Sequence, residues 1–232
     1  MNPWFVWKDK NSLGDFGLWI NKLPKRVRPE ERHEEIEIPG RAGSLLMLEG
    51  EDVYSSYTTE MTVIARNSLD MNSILEWLRG SSDLILCTDT SKAIEARIVG
   101  EVSFERVGNN LQQATIPFLC SPFRKSVRQL EERATFGQSG GTIFNRGDVA
   151  SKPTVAIRGS GNNTITIAEK SMSFVNLSGV VVVDCGAQII NKNNDIWTGD
   201  VTGDFWSIPC GESAVSQTGD AIIQVYPNWR WF

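Results

Sequence analysis

The sequence contains one histidine, His33. A Ser-His-Asp triad needs a histidine base beside its serine and a carboxylate to orient it. His33 sits among Glu30, Glu31, Glu34 and Glu35, with none of the sequence that surrounds a protease histidine. The segment Gly137-Gln138-Ser139-Gly140-Gly141, one residue away from the nucleophile loop of trypsin-like proteases, is therefore read as a flexible linker. No catalytic residue is assigned, and an enzyme is not expected. Cysteine is also sparse: four residues, at 87, 120, 185 and 210, with no Cys-x-x-Cys pair that would hold zinc or run redox chemistry. Reduced, buried thiols are expected. Basic charge is not in excess. The chain carries 17 basic and 20 acidic residues before Phe136 and 6 and 8 after it, for nets of −3 and −2. Phosphate-backbone binding demands the opposite balance, so sequence-specific nucleic-acid binding is excluded. The longest uncharged apolar-leaning run, residues 171–183, is too short to cross a bilayer, and residues 1–10 lack the basic-then-apolar pattern of a signal peptide. The expected setting is the cytoplasm, without membrane insertion. Asp184, Asp195, Asp200, Asp204 and Asp220 fit no EF-hand spacing, so neither a metal nor a cofactor is expected.

What is present describes an ordinary folded chain: 232 residues, 41% hydrophobic and 22% charged, enough for one large β domain or two smaller ones. In Glu35-Ile36-Glu37-Ile38-Pro39-Gly40-Arg41-Ala42-Gly43, acidic and apolar residues alternate into a turn and leave through Ser44-Leu45-Leu46-Met47-Leu48. Pro39 presets φ and Gly40 accepts φ > 0 at the centre of a type II turn, so this stretch is read as a β-hairpin. Residues 24–35, dense in charge and with two prolines, lead into it as an exposed connection. Residues 4–23 read as two short strands around turns. Residues 61–65 read as a strand, after which the period changes. Met71, Ile74, Leu75 and Leu78 recur at helical spacing, predicting one helix over about 68–79, capped by Asn67 or Ser68 and ended by Gly80. Strands follow over 84–87 and 93–106, and a turn at Gly108-Asn109-Asn110 sends the chain back over 113–119.

Between residues 136 and 152 the composition shifts to glycine, serine and asparagine, marking a boundary between domains at 1–135 and 136–232. Beyond it, strands are expected over 153–157, 164–167, 172–177, 180–183, 205–208 and 221–225, the spacing of a β-sandwich. The predicted fold is mainly β: a β-sandwich or barrel with one α-helix, followed by a second β-sandwich. Arg146-Gly147-Asp148 matches an integrin-binding tripeptide and makes an ordinary turn by itself. Trp4 and Trp7 near one end and Trp229 and Trp231 near the other place large apolar surface at both chain ends, as though the termini packed into a neighbouring subunit.

Several of these segments, in order, resemble the distal tail protein family of long-tailed bacteriophages and prophages. The likeness is carried by Asn11-Ser12-Leu13-Gly14-Asp15-Phe16-Gly17-Leu18, the Ile38-Pro39-Gly40-Arg41-x-Gly43 turn and the strand end Phe118-Leu119-Cys120-Ser121-Pro122-Phe123. The run over 153–162, the strand ending at Asp184 and the closing segment over 223–231 extend it across the second half. The resemblance implies a galectin-like sandwich for the second domain and a virion structural protein of the tail tip or baseplate, assembled in the host cytoplasm. It implies a homo-oligomeric ring, commonly a hexamer, around the DNA channel, joining the tail tube protein to a tail-associated or fibre protein and to receptor-binding proteins. Candidate ring and tube contacts are Arg28, Arg32, Pro39, Gly40, Arg41 and Gly43. The turn's backbone accounts for both glycines without further role, whereas no turn requires Arg41. The alternative function is a carbohydrate-binding, lectin-like module for host adsorption, with Trp197 and Trp206 as the candidate glycan or partner contacts.

Overall fold

The computed structural model describes residues 2–48, 50, 52–66, 69–192, 195–197 and 199–232. Two compact units result, Met1–Val127 together with Phe232, and Arg128–Trp231. In the first unit the elements are β1 (Phe5–Trp7), β2 (Lys10–Asn11), α1 (Ser12–Phe16), β3 (Trp19–Lys22), β4 (His33–Glu37), β5 (Ser44–Leu48), β6 (Tyr57–Arg66), α2 (Met71–Trp77), β7 (Ser81–Leu86), β8 (Asp89–Ile98), β9 (Phe104–Arg106) and β10 (Leu111–Ser126). Eight strands form one antiparallel sheet in the order β2-β1-β7-β8-β10-β6-β3, with β9 on β10. The sheet curls until the Ile20 amide of β3 donates to the Pro3 carbonyl just before β1, 2.8 Å away. Alternation along β6 sends Met61, Val63 and Ala65 inward, where they meet Phe5, Trp7, Ile116 and Phe118.

The short helix α1 stands where two strands and turns were read. Its Asn11 side chain accepts the Leu13 and Gly14 amides at 2.9 Å, and Gly17, at φ +62°, closes it. A helix of five residues, held by caps at both ends, is too short to show a period. The predicted longer helix is α2. Its cap is Asp70, whose carboxylate accepts the Ser73 hydroxyl at 2.6 Å and the Asn72 amide at 3.1 Å. The Ser73 hydroxyl bond, foremost, holds the Asp70 carboxyl below its ordinary range. Asn67 and Ser68 lie outside the described residues. Ile74 and Leu78 are buried as the spacing requires, but Met71 and Leu75 are only half-buried, and Trp77 completes the inner face. The Trp77 indole lies 4.3 Å from the ring of Phe16 and 5.5 Å from that of Phe5, and its N–H donates to the Trp7 carbonyl at 2.9 Å.

The strand expected over 93–106 is divided. β8 stops at Ile98, and Gly100, at φ +85°, turns the chain before β9. The return strand β10 runs on to Ser126, slipping register against β8 between Cys120 and Arg124, and Pro122 is accommodated in that bulge.

The second unit contains β11 (Ala134–Phe136), β12 (Gly141–Asn145), β13 (Thr154–Ile167), β14 (Lys170–Asp184), β15 (Ile189–Lys192), β16 (Asp195–Ile196), β17 (Val201–Gly203), β18 (Gly211–Thr218) and β19 (Ile222–Tyr226). The pairs of segments expected over 153–157 and 164–167, and over 172–177 and 180–183, are each one long strand. β13 pairs with β14 over nearly its whole length, its first part also meeting β19 and its last part β18. Likewise β14 meets β17 near its start and β15 near its end. The two long strands therefore serve both layers of a sandwich: β11-β19-β13-β14-β15-β16 on one side and β12-β18-β13-β14-β17 on the other. The bend falls where β13 shifts register between Gly161 and Asn163, with Gly161 at φ +67° and, on β14, Asn176 at φ +54°. Glycine and asparagine there resemble turn signals, but the ladder continues through them. Between the layers lie Val155, Ile157, Ile165, Phe174, Val181, Val183, Trp206, Ile223 and Val225, all essentially inaccessible.

Residues 205–208 do not form a strand; Ile208 makes one isolated bridge with Ser151. Gly137 to Gly140 is not a linker. The Gly140 amide donates to the Gly137 carbonyl at 3.0 Å in a tight turn between β11 and β12, and a Cβ on Gly140 would collide with the Val215 carbonyl. Trp7 and Trp229 are buried within the cores of their own units and Trp231 packs partly buried against the second core, so of the four terminal tryptophans only Trp4 lies outside a core of the chain itself.

Two substitutions test these cores. Trp77→Ala is expected to destabilise the first unit by about 3–5 kcal/mol in urea denaturation; a loss under about 1 kcal/mol would show that the indole is dispensable. Asn163, only 2% exposed, donates to the Ser160 carbonyl at 2.8 Å and accepts the Ala221 amide at 3.0 Å. Asn163→Leu should destabilise the second unit by about 1–3 kcal/mol and accelerate hydrogen exchange at Ala221, because a buried amide is left unpaired.

Candidate functional site

β4 and β5 form a two-stranded sheet of their own, paired to no other strand. Their register sets Glu35 opposite Leu46 and His33 opposite Leu48 on one face, and Ile36 opposite Leu45 and Glu34 opposite Met47 on the other. The connecting loop is the turn read from the sequence. The Arg41 amide donates to the Ile38 carbonyl at 3.1 Å across Pro39 and Gly40, and Gly40 has φ +84°. Nothing lies within 4 Å of a Cβ built on Gly40 or Gly43, so backbone conformation and not crowding accounts for glycine at both positions.

The root of this arm is fixed within the first unit. The Arg32 amide donates to the Val53 carbonyl at 2.8 Å, the Ser55 amide to the Glu30 carbonyl at 2.9 Å, and the Tyr54 hydroxyl to Glu31 Oε1 at 3.0 Å. Tyr54 packs edge-on against Phe123 and Phe232, with ring centroids 5.3 and 5.2 Å away, and the Arg28 guanidinium lies 5.5 Å above the Phe232 ring. The blade itself has no such support. Leu46, Met47 and Leu48 are 58%, 51% and 61% exposed, with Leu45 and Ile38 near 40%. Burying a side chain of this kind is worth about 1.5–3 kcal/mol, and a lone two-stranded hairpin is marginal in water. An exposed apolar strand with an unpaired edge is a docking element or an aggregation hazard.

The candidate residues sort onto this arm. Pro39, Gly40, Arg41 and Gly43 make its tip, and Arg28 and Arg32 stand at its root. The Arg41 side chain has no hydrogen-bonding or ionic partner among the described residues and borders a concavity of about 400 Å³ with Glu35 and Glu37. The apolar strand over 45–48 was not singled out as a site in the sequence, although its signal was there: four consecutive apolar residues cannot all face one core when successive side chains alternate.

The tryptophans of the alternative reading lie elsewhere. Trp206 is 1% exposed inside the sandwich and has no face to offer a sugar or a partner. Trp197 is half-buried and stacks on Phe174 at 6.0 Å, an internal packing role. In the tripeptide turn, buried Asn145 accepts the Gly147 amide at 2.8 Å and donates to the Ile208 carbonyl at 2.9 Å, so the motif serves the local fold. Ser139 lies in the turn after β11, and the sole histidine belongs to the other unit. Among the described residues no three His, Cys, Asp or Glu side chains gather as a metal site, and no helix is long and apolar enough to cross a membrane. Cys120 and Cys185 are buried, which pushes their thiols up to about 11 and about 12, whereas Cys210 is exposed and Cys87 intermediate.

No protein-family profile matches the chain, and no curated protein is similar to it in sequence. In fold it is similar to a crystal structure of SPP1 Dit (gp 19.1), described as a paradigm of the hub adsorption apparatus in phages that infect Gram-positive hosts. The TM-score is 0.71 at 11% identity, and the match covers 97% of this chain and 98% of that one. The chain therefore has the Dit fold, over both of its units.

The thiols give a direct check on the burial described. Brief alkylation of the native protein at pH 8 should modify Cys210 first and leave Cys120 and Cys185 unmodified until urea is added, as read by peptide mass. Native labelling of Cys185 at the rate of Cys210 would contradict the closed sandwich.

Proposed function

We propose that this chain is a distal tail protein, a non-enzymatic structural hub of a phage tail tip that closes into a ring, commonly six copies, around the DNA channel. The observation that carries this reading is the fold likeness to a Dit protein across 97% of the chain. The first unit is the ring-forming domain. The second is a galectin-like sandwich that faces outward and receives fibre or receptor-binding proteins, while the ring stacks on the tail tube protein. Two further features support the reading: the arm exposes apolar side chains that its own strands leave uncovered, and the net charge of −5 suits a conduit past which DNA slides without sticking. A closed ring needs one heterologous interface repeated until the rotation closes, and an arm that leaves its own domain supplies one half of such a contact. Arg41, together with Pro39, Gly40 and Gly43 at the tip and Arg28 and Arg32 at the root, is assigned to the ring and tube contacts.

Light scattering and negative-stain imaging of the same fraction test this. A species near 155 kDa, about six times the 25.8 kDa chain, seen as a ring with a central hole, is the expected result. A monomer that stays monomeric with tube and fibre proteins present would overturn it. Arg41→Ala is expected to weaken ring assembly while leaving monomer melting nearly unchanged, since an exposed side chain without partners contributes little to the fold. Equal loss of both would remove Arg41 from the interface.

A further inference from the structure

Because β13 and β14 pass through both layers of the second unit, the outward faces of the two layers can be compared on the same pair of strands. In one layer the outward positions are Thr164 and Thr166 on β13 and Ser173 and Ser171 on β14. Their hydroxyls hydrogen-bond to each other in pairs, at 2.9 and 2.8 Å, and leave a polar face suited to water. In the other layer the outward positions change character. Arg158 stands between Val180 of β14 and Ile222 of β19, and Ala156, two residues earlier, stands beside Gln224. Val180 and Ile222 are 37% and 49% exposed. These five residues line a concavity of about 350 Å³, where the small side chain of Ala156 leaves room between its neighbours. No acidic side chain is among them. Neither the Arg158 guanidinium nor the Gln224 side-chain amide has a hydrogen-bonding or ionic partner among the described residues. Here β13 is paired along both edges, by β14 and by β19, so this face offers a partner side chains and no free backbone edge.

We propose that this face of the second unit docks a partner protein through an Asp or Glu side chain flanked by aliphatic residues. The guanidinium fork takes the carboxylate in two parallel hydrogen bonds, and the Gln224 amide, diagonal to Arg158 across the ladder, donates a third. Val180 and Ile222 receive the flanking aliphatic side chains, and the water they exclude strengthens the charged contact between them. A sugar acid is the less suited carboxylate, because the concavity contains no aromatic ring on which a pyranose could stack. The inference rests on the reading of this unit as the receiver of fibre or receptor-binding proteins, and it names the surface and the chemistry that would hold them.

Two experiments on the full chain test it. With isoleucine and valine methyl groups labelled, the peptide acetyl-Leu-Glu-Leu-amide at millimolar concentration should move the NMR signals of Val180 and Ile222. The same peptide with glutamine at its centre should bind roughly tenfold more weakly, as should the original peptide to Arg158→Met protein. Signals that do not move, equal binding of the two peptides, or tighter binding of glucuronate than of the peptide would overturn the proposal. In the second experiment the fibre and receptor-binding proteins of the same tail are added, and Arg158→Glu should leave the ring intact while weakening their capture roughly tenfold or more. If both the ring and the capture survive Arg158→Glu, this face is not the docking site although the hub reading stands. If the unaltered chain captures no tail protein yet discriminates the two peptides, the hub reading fails and the carboxylate-binding face stands.

Discussion

Water is a poor place for four consecutive apolar side chains, and β5 holds Leu45, Leu46, Met47 and Leu48 in it. Elsewhere the chain resolves the same difficulty internally. The first sheet curls until β3 reaches back to the residue before β1, and the second unit closes two layers over one core. Only the arm, among the described elements, is a sheet with no layer packed beneath it. Exposed apolar surface of this extent is the mark of a docking element, and the proposed assembly gives this hairpin the cover that its own strands lack.

Much of this was legible in the sequence where one local force acts alone. Pro39 and Gly40 dictate their turn whatever surrounds them, and the hairpin stands where they place it. Ile74 and Leu78 mark a helix by spacing. The helix begins later than its period suggested because Asp70 caps it, and the decisive contact belongs to Trp77, whose partners Phe5 and Phe16 are distant in sequence. Spacing reports an element, while the face it buries depends on what arrives opposite. In the second unit, Gly161 and Gly179 were indistinguishable from turn glycines by composition, since a bend inside a ladder and a turn between ladders ask the same of φ.

The short motifs were set aside in the sequence for a related reason, and only the linker reading of residues 137–141 needed correction. A few residues of glycine, serine, asparagine and aspartate satisfy many geometries, and both the Ser139 and the Gly147 segments are occupied by backbone hydrogen bonding. Trp206 shows the limit of the alternative reading: composition leaves an indole free to face either a ligand or the core, and the fold carries this one to the centre of a sandwich. The candidate site was half visible. Its tip was found through turn chemistry, and its blade was passed over because a strand of leucines looks like core until the partner strand proves to be acidic.

The bent pair β13 and β14 has a mechanical consequence. Since both strands run through both layers, the layers are not joined there by a loop that could flex, and prising them apart means tearing one continuous ladder. A pull directed along these strands would strain many hydrogen bonds simultaneously, whereas a pull across them would open the pairs one after another. A module built in this way passes a tug received at one end to the other without first unravelling, a useful property for any anchor between a moving object and a fixed one.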